Sequence, residues 1–276
     1  MSAAEVAARL TGLEVVRTRS SGSLVEAEVA DGWVVVKHAP GAAVAEAAGL
    51  RWLASADAVP VVGVRGFDDE WLVLDHVVSA RPTVAAARSF GLGLARLHAA
   101  GAPAFGSPPP GGPVEAWIGR APMANVTGAE WPRWYAEQRV LPYVRRAVDG
   151  GVLDGGEAGV FERACSLFAS VAGPAEPPAR LHGDLWNGNV LWTADGVCLI
   201  DPAAHGGHRE TDLAMLHLFG CPHLEEMLAA YDSAAPLAAG WRARVALHQL
   251  FPLLVHAVLF GRSYAVQALA AARELL

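Results

Sequence analysis

The chain has 276 residues, a net charge of −7 and 53% hydrophobic residues, enough for one large domain or two modest lobes around a real core. That balance excludes a disordered chain and a basic surface for nucleic acid or anionic membrane. Its three cysteines, Cys165, Cys198 and Cys221, are far apart and lack metal-ligand spacing, which argues against a disulfide framework and for a reducing, cytoplasmic setting.

Ser2 and Glu5 form a capping box for a short first helix, where a targeting segment would need basic residues and an apolar run. Three β-type runs follow, Leu13–Thr18, Leu24–Ala30 and Trp33–His38, separated by Ser20-Ser21-Gly22-Ser23 and by the hairpin signal Asp31-Gly32. The alanine-rich stretch Gly41–Ser55 predicts a helix. Two further strands, Val61–Phe67 and Trp71–Val77, flank the turn Asp68-Asp69-Glu70. Residues 1–78 are thus expected to form an α+β lobe of five antiparallel strands and one main helix.

Residues 79–276 read as a larger, mostly helical lobe. Helices are predicted over Thr83–Ala100, Ala129–Asp149, Gly155–Val171, Thr211–Leu218 and His223–Ala230, and from Trp241 to the C-terminus with a break near Gly261. The Pro/Gly-rich segment Ala102–Pro113 predicts a surface loop. The longest strongly apolar run, Leu250–Phe260, is interrupted by His256 and is too short to span a bilayer. A small hairpin, Gly188–Trp192 and Val197–Ile200 around Asp195-Gly196, interrupts the helices beside the most polar motif of the chain.

That motif, Leu181–Asn189, reads L-H-G-D-L-W-N-G-N, and the hairpin after it ends in Ile200-Asp201-Pro202. Phosphoryl transfer from ATP to an alcohol needs a carboxylate at the hydroxyl and oxygen ligands that hold Mg²⁺ against the phosphates. Asp184 supplies the first, as catalytic base. Asn189, five residues on, supplies a neutral metal ligand, and the returning strand brings Asp201 as the anionic one. A single Asp or Asn beside glycine is usually a turn residue; three at this spacing are a far more specific signal.

The D-x-x-x-x-N spacing with a later Asp resembles the protein-kinase superfamily, with H-G-D in place of H-R-D, as in aminoglycoside and choline phosphotransferases. The fuller string, with I-D-P-A and G-H-R-E-T-D-L-A-M-x-x-L-F-G over Gly207–Gly220, resembles the fructosamine (ketosamine) kinase family. The resemblance extends to W-Y-A-E-Q-R-V-L-P (Trp134–Pro142) and L-F-G-R-S-Y (Leu259–Tyr264). It implies a two-lobed protein-kinase-like fold and transfer of the ATP γ-phosphate to a sugar hydroxyl of a small-molecule or protein-bound ketosamine, at the 3-hydroxyl in the best-known members. The alternatives are an aminoglycoside- or choline-type phosphotransferase, which would not predict L-W-N-G-N together with G-H-R-E-x-D-L-A-M, and a catalytically inactive nucleotide-binding protein, which would not keep Lys37, Asp184, Asn189 and Asp201 together.

The resemblance also assigns residues. Lys37, closing the third strand, corresponds to the phosphate-contacting lysine of kinases, and Glu46 on the following helix is its expected ion-pair partner. Gly22 and Ser23 fall where the phosphate-covering loop lies, though with one glycine rather than three. Asp75, His76 and Val77 open the segment whose backbone reads adenine. His182 is expected to brace the catalytic loop, and Asp212 to support it by accepting backbone N–H groups. On the acceptor side, Trp186 offers a ring for a sugar face, and His205, Arg209 and Glu210 are expected to supply polar contacts. Arg139 and Trp134 are left open between substrate and packing.

Overall fold

A computed structural model describes residues 1–21 and 24–276. Gly22 and Ser23, expected over the phosphates, lie outside the described residues. Helix α1 (Ala3–Thr11) carries both halves of the Ser2/Glu5 capping box. Strands β1 (Val15–Ser21), β2 (Leu24–Val29), β3 (Gly32–His38), β4 (Val64–Phe67) and β5 (Trp71–Asp75) form one antiparallel sheet in the order β1-β2-β3-β5-β4. Helix α2 (Ala43–Ala54) follows β3. The β4–β5 turn is held by the Asp68 carboxylate, which accepts from the N–H groups of Glu70 (2.9 Å) and Trp71 (2.8 Å).

The rest of the chain is mostly helical. Helix α3 (Val84–Ala99) starts at the N-cap Thr83. The segment read as one helix over 129–149 is three: α4 (Trp131–Tyr135), a π turn (Ala136–Val140) and α5 (Leu141–Asp149). Helix α6 (Gly155–Val171) carries a capping box from Asp154 and Glu157. Then come β8 (Ala179–Leu181), the β9–β10 hairpin (Val190–Thr193, Gly196–Leu199), β11 (His205–Gly207), α7 (Glu210–Leu218) and α8 (Leu224–Ala234). Helices α9 (Val245–Phe260) and α10 (Arg262–Arg273) part at Gly261, whose φ of 90° breaks the helix.

Three expectations need correcting. Ala102–Pro113 is not simply a surface loop, because Phe105 and Ser107 are buried and Gly106 N–H donates to Gly206 O at 2.7 Å. Just beyond it stands an unforeseen hairpin, β6 (Glu115–Ile118) and β7 (Ala121–Ala124). Its signal was present: Ala116, Ile118, Ala121 and Met123 alternate inward around a Gly119-Arg120 turn. Finally, the apolar C-terminal segment is longer than the run at 250–260 suggested. Trp241–Phe260 is long and apolar enough to cross a membrane by length and composition. Here α9 is instead the central core helix, with Leu247, Leu250, Phe251, Leu253, Leu254 and Ala257 buried among residues of the π turn, α5, α6 and α10.

Beneath α7 lies a buried polar cluster. Glu210 is bidentate to Arg244 (2.8 and 2.5 Å) and lies 3.4 Å from His248 Nε2. Arg209 is bidentate to Glu176 (2.7 and 2.8 Å). Ligand atoms of His208, Glu210 and His248 lie within 4.8 Å of one another. This is nonetheless a poor cation site, because Arg244 already takes both carboxylate oxygens. The charges balance as they stand. Burial opposes ionisation of Glu210, but the neighbouring His248 and the hydrogen bonds from Arg244 outweigh it and hold the carboxyl at about 2. A depressed carboxylate contributes stability that is full above its unfolded pKa, near 4.5, and lost as pH falls through the folded value. Glu210→Gln is therefore expected to lower unfolding stability by about 3 kcal/mol near neutral pH, because it strands Arg244. In urea titrations the gap between the two proteins should close as pH falls towards 2; a gap of zero at pH 7 would show that the cluster contributes nothing.

Candidate active site

Strand β8 leads into His182-Gly183-Asp184, and the loop is tied down at each residue. Asp212, on the first turn of α7, accepts from the N–H groups of His182 (2.8 Å) and Gly183 (3.0 Å) and meets His98 Nε2 at 3.2 Å. Gly183 has a φ of 81°, and a Cβ there would stand 2.1 Å from Ala203 O, so no other residue fits. His182 is fully buried. Its Nε2 donates to Ile200 O at 2.9 Å, so the ring accepts at Nδ1 from Asp184 N–H at 3.3 Å. Burial holds its pKa below the ordinary value despite Asp212. A neutral ring with both nitrogens engaged is a brace, not an acid or base.

Asp184 leaves this loop with its carboxylate in the cleft. Burial pushes it up to about 7; the hydrogen bond from Asn189 and the Lys37 charge oppose the rise, and Asp201 and Asp212 add to it. Asn189 Nδ2 donates to Asp184 O (2.8 Å), Asp184 Oδ2 (3.0 Å) and Asp201 O (3.4 Å), which turns Oδ1 away from all three. The amide thus links the two acidic residues. Gly188 between them admits the Trp186 ring, since a Cβ at 188 would lie 2.2 Å from Trp186 Cη2.

Asp201 arrives from the β9–β10 hairpin, which is fastened to the N-terminal lobe by backbone: Leu199 N–H donates to Pro60 O (2.9 Å) and Val62 N–H to Leu199 O (3.0 Å). Two residues on, the chain turns at Asp201 with φ 52°, a left-handed conformation rare outside glycine and typical of functional positions. Its Oδ1 meets Lys37 Nζ at 3.0 Å, and the same ammonium bonds both oxygens of Glu46 at 2.9 and 2.8 Å. Burial disfavours the Lys37 charge, but Glu46 and Asp201 outweigh it and raise its pKa, so it stays cationic.

Lys37, Glu46, Asp184, Trp186, Asn189 and Asp201 line one cavity of about 210 Å³. Its remaining wall includes Trp117 from the β6–β7 hairpin and Asn125 just after it, neither found by sequence reasoning. Trp117 Nε1 donates to Gly41 O at 3.1 Å and so ties that hairpin to the N-terminal lobe. Trp186 is 38% exposed and meets Phe219 edge-on at 6.0 Å.

The other expected residues lie elsewhere. Asp75 and His76 sit at the end of β5, where their N–H groups are taken by Gly63 O (2.9 Å) and Trp33 O (3.1 Å). Those two amides cannot read a base, and neither they nor Val77 line this cavity. His205, Arg209 and Glu210 do not line it either, contrary to expectation. His205 is buried with Nδ1 on Ala203 O (2.8 Å), and burial draws its pKa down to about 3. Arg209 and Glu210 are consumed by the pairs beneath α7. Polar residues that follow Asp201 in sequence look like pocket residues, but here β11 and α7 turn inward. Trp134 is packing: it is buried, and its Nε1 donates to Val126 O at 2.7 Å.

Comparison with known proteins identifies the family. Residues 34–276 match the model of the family described as fructosamine kinase. A crystal structure of a "putative fructosamine-3-kinase" from Thermobifida fusca is 48% identical and superposes with a TM-score of 0.93, covering 99% of this chain and 98% of that one. "Probable ketoamine kinase YniA" of Escherichia coli K12 is 33% identical over 216 residues, 76% of this chain and 71% of the relative. Choline kinase LicA from Streptococcus pneumoniae, at 16% identity and a TM-score of 0.66 over 98% of this chain and 96% of that one, shares the fold. The chain belongs to the fructosamine kinase family, whose members are phosphotransferases.

Proposed function

We propose that this protein transfers the γ-phosphate of ATP to a sugar hydroxyl of a ketosamine such as fructosamine or ribulosamine, at the 3-hydroxyl. The observation that carries the reading is one cavity in which Asp184, Asn189 and Asp201 meet the Lys37–Glu46 pair, in a chain of this family. The relatives named as ketoamine kinases support the acceptor class.

Asp184 is positioned to accept the proton of the attacking hydroxyl, and a carboxylate whose pKa burial has raised is a stronger base for that task. Asn189 Nδ2 fixes its orientation. Lys37 brings fixed positive charge to the phosphates, with Glu46 setting the direction of its flexible stem. The donor set fits a hard cation: Asn189 Oδ1 is turned away from its neighbours, and Asp201 adds a carboxylate. These two residues would hold Mg²⁺, which supplies charge neutralisation at the phosphate oxygens when bound. The Trp186 ring provides a face for the sugar.

The test is an ATP-consumption assay with a panel of ketosamines, aminoglycosides and choline. Turnover is expected with ketosamines, and Asp184→Asn should lower kcat by about 10²–10⁴-fold while nucleotide binding persists. Equal turnover by the two proteins would remove Asp184 from the chemistry, and turnover of aminoglycosides alone would remove the acceptor assignment. A companion titration compares Asp201→Ala with Trp186→Ala. The first is expected to abolish the Mg²⁺ dependence of nucleotide binding, and the second to leave it intact while raising the acceptor KM. The reverse pattern would exchange their roles.

A further inference from the structure

The string Trp134–Pro142 does not line the cavity, yet one of its side chains bonds to a residue that does. In a regular α-helix residue 142 would donate its N–H to Gln138 O, and proline has none to give. The chain instead widens into the π turn, with Leu141 N–H on Ala136 O, and the freed Gln138 carbonyl accepts from Arg139 Nη1 at 3.2 Å. Such turns recur at functional sites. The same guanidinium donates to Ala124 O (2.8 Å) and to Asn125 Oδ1 (3.1 Å) and lies over the rings of Trp134 and Phe251, 4.6 and 5.5 Å from their centroids.

Arg139 is 1% exposed, and among the described residues no carboxylate lies within ion-pairing distance of it. A buried cation without a counter-ion is an expensive way to fill a core. Its bonds define a different task. An asparagine amide can flip to exchange oxygen and nitrogen, but a guanidinium donating to Oδ1 permits one orientation. Nδ2 of Asn125 therefore faces away from Arg139. The Asn125 backbone is fixed too, its N–H on Val114 O at 2.7 Å. The residue is 2% exposed and lines the cavity with Asp184, Trp117 and Trp186. Among the described residues no protein atom accepts from Nδ2. A buried amide donor lacking an acceptor is costly, and here it stands in the wall where an acceptor molecule must sit.

We propose that Asn125 is a substrate-binding residue that donates from Nδ2 to an oxygen of the ketose, and that Arg139 is the positioning residue that fixes its amide. This rests on the ketosamine reading above. A donor selects a lone pair, so the contact recognises the sugar's hydroxyl or carbonyl oxygens and not the protonated amine, which has none to offer. The residue just after the β6–β7 hairpin thereby supplies sugar recognition, and the π turn holds that recognition in register.

The experiment measures kcat and KM for one ketosamine and for its set of monodeoxy analogues, with the parent, Asn125→Ala, Asn125→Ser and Arg139→Lys, each checked for a cooperative thermal transition. The parent is expected to disfavour one analogue about tenfold. Asn125→Ala should raise the ketosamine KM about tenfold with the ATP KM unchanged, and should no longer distinguish that analogue from the parent substrate. Asn125→Ser, which keeps a smaller donor, should retain part of the discrimination and serves if the alanine protein does not fold. Arg139→Lys keeps the charge but not the fork and should weaken the same discrimination. Ketosamine turnover by the parent with discrimination unchanged in the folded Asn125 variants overturns this assignment alone. So does a parent that treats every analogue alike. A parent that turns over no ketosamine overturns the acceptor reading and this one with it.

Discussion

One ammonium group holds the site together. Lys37 on β3 contacts Glu46 on α2 and Asp201 at the end of the C-terminal hairpin, so a single cation joins groups from both lobes. Without it, Glu46, Asp201 and Asp184 would be three carboxylates converging on one partly buried space, and like charges in low dielectric repel strongly. The side-chain bond does not act alone. The backbone bonds of Leu199 to Pro60 and Val62 set where the hairpin meets the N-terminal lobe, two residues before Asp201. The carboxylate is therefore located by main chain and then oriented by charge.

A second tier of groups, wholly out of the cavity, keeps the His182–Asp184 loop in shape. Asp212 is buried, and although burial raises its pKa, its hydrogen bond with His98 leads the contacts that keep it below the ordinary value; the Gly183 N–H adds to that lowering. Asp184 differs by only a short stretch of space but stands where fewer donors reach it, and it titrates far higher. Burial raises both aspartates; at Asp212 the hydrogen bonds and neighbouring charge outweigh it, and at Asp184 they do not. One is a permanent anion that anchors backbone, and the other is a carboxylate suited to exchanging a proton.

Most of the scaffold was legible because its signals are local. Ser2/Glu5, Thr83 and Asp154 cap their helices as their side chains dictate, and the runs Trp33–His38 and Trp71–Val77, where β-branched and aromatic residues cluster, overlap β3 and β5. The spacing of Asp184, Asn189 and Asp201 was legible too, since one loop and one hairpin bring them together. What escaped depends on distant partners. Glu115–Ala124 has only four-residue strands, and its alanines and proline carry weak β-propensity. His205, Arg209 and Glu210 are polar residues whose partners, Glu176, Arg244 and His248, come from far along the chain, so nothing local marks them as buried. Pro142 did carry a local signal for the break in the helix over 129–149, and its meaning emerged only with the carbonyl it releases.

Position 183 also closes off one means of control. Kinases with an arginine before the catalytic aspartate can be switched when a phosphorylated loop docks on a guanidinium. Here the left-handed backbone and the Ala203 carbonyl, 2.1 Å from any Cβ, leave no volume for a side chain. The loop is clamped from beneath by Asp212 instead, by bonds that need no covalent modification to form. The loop takes its shape at folding, and any side chain at that point of the chain is sterically forbidden.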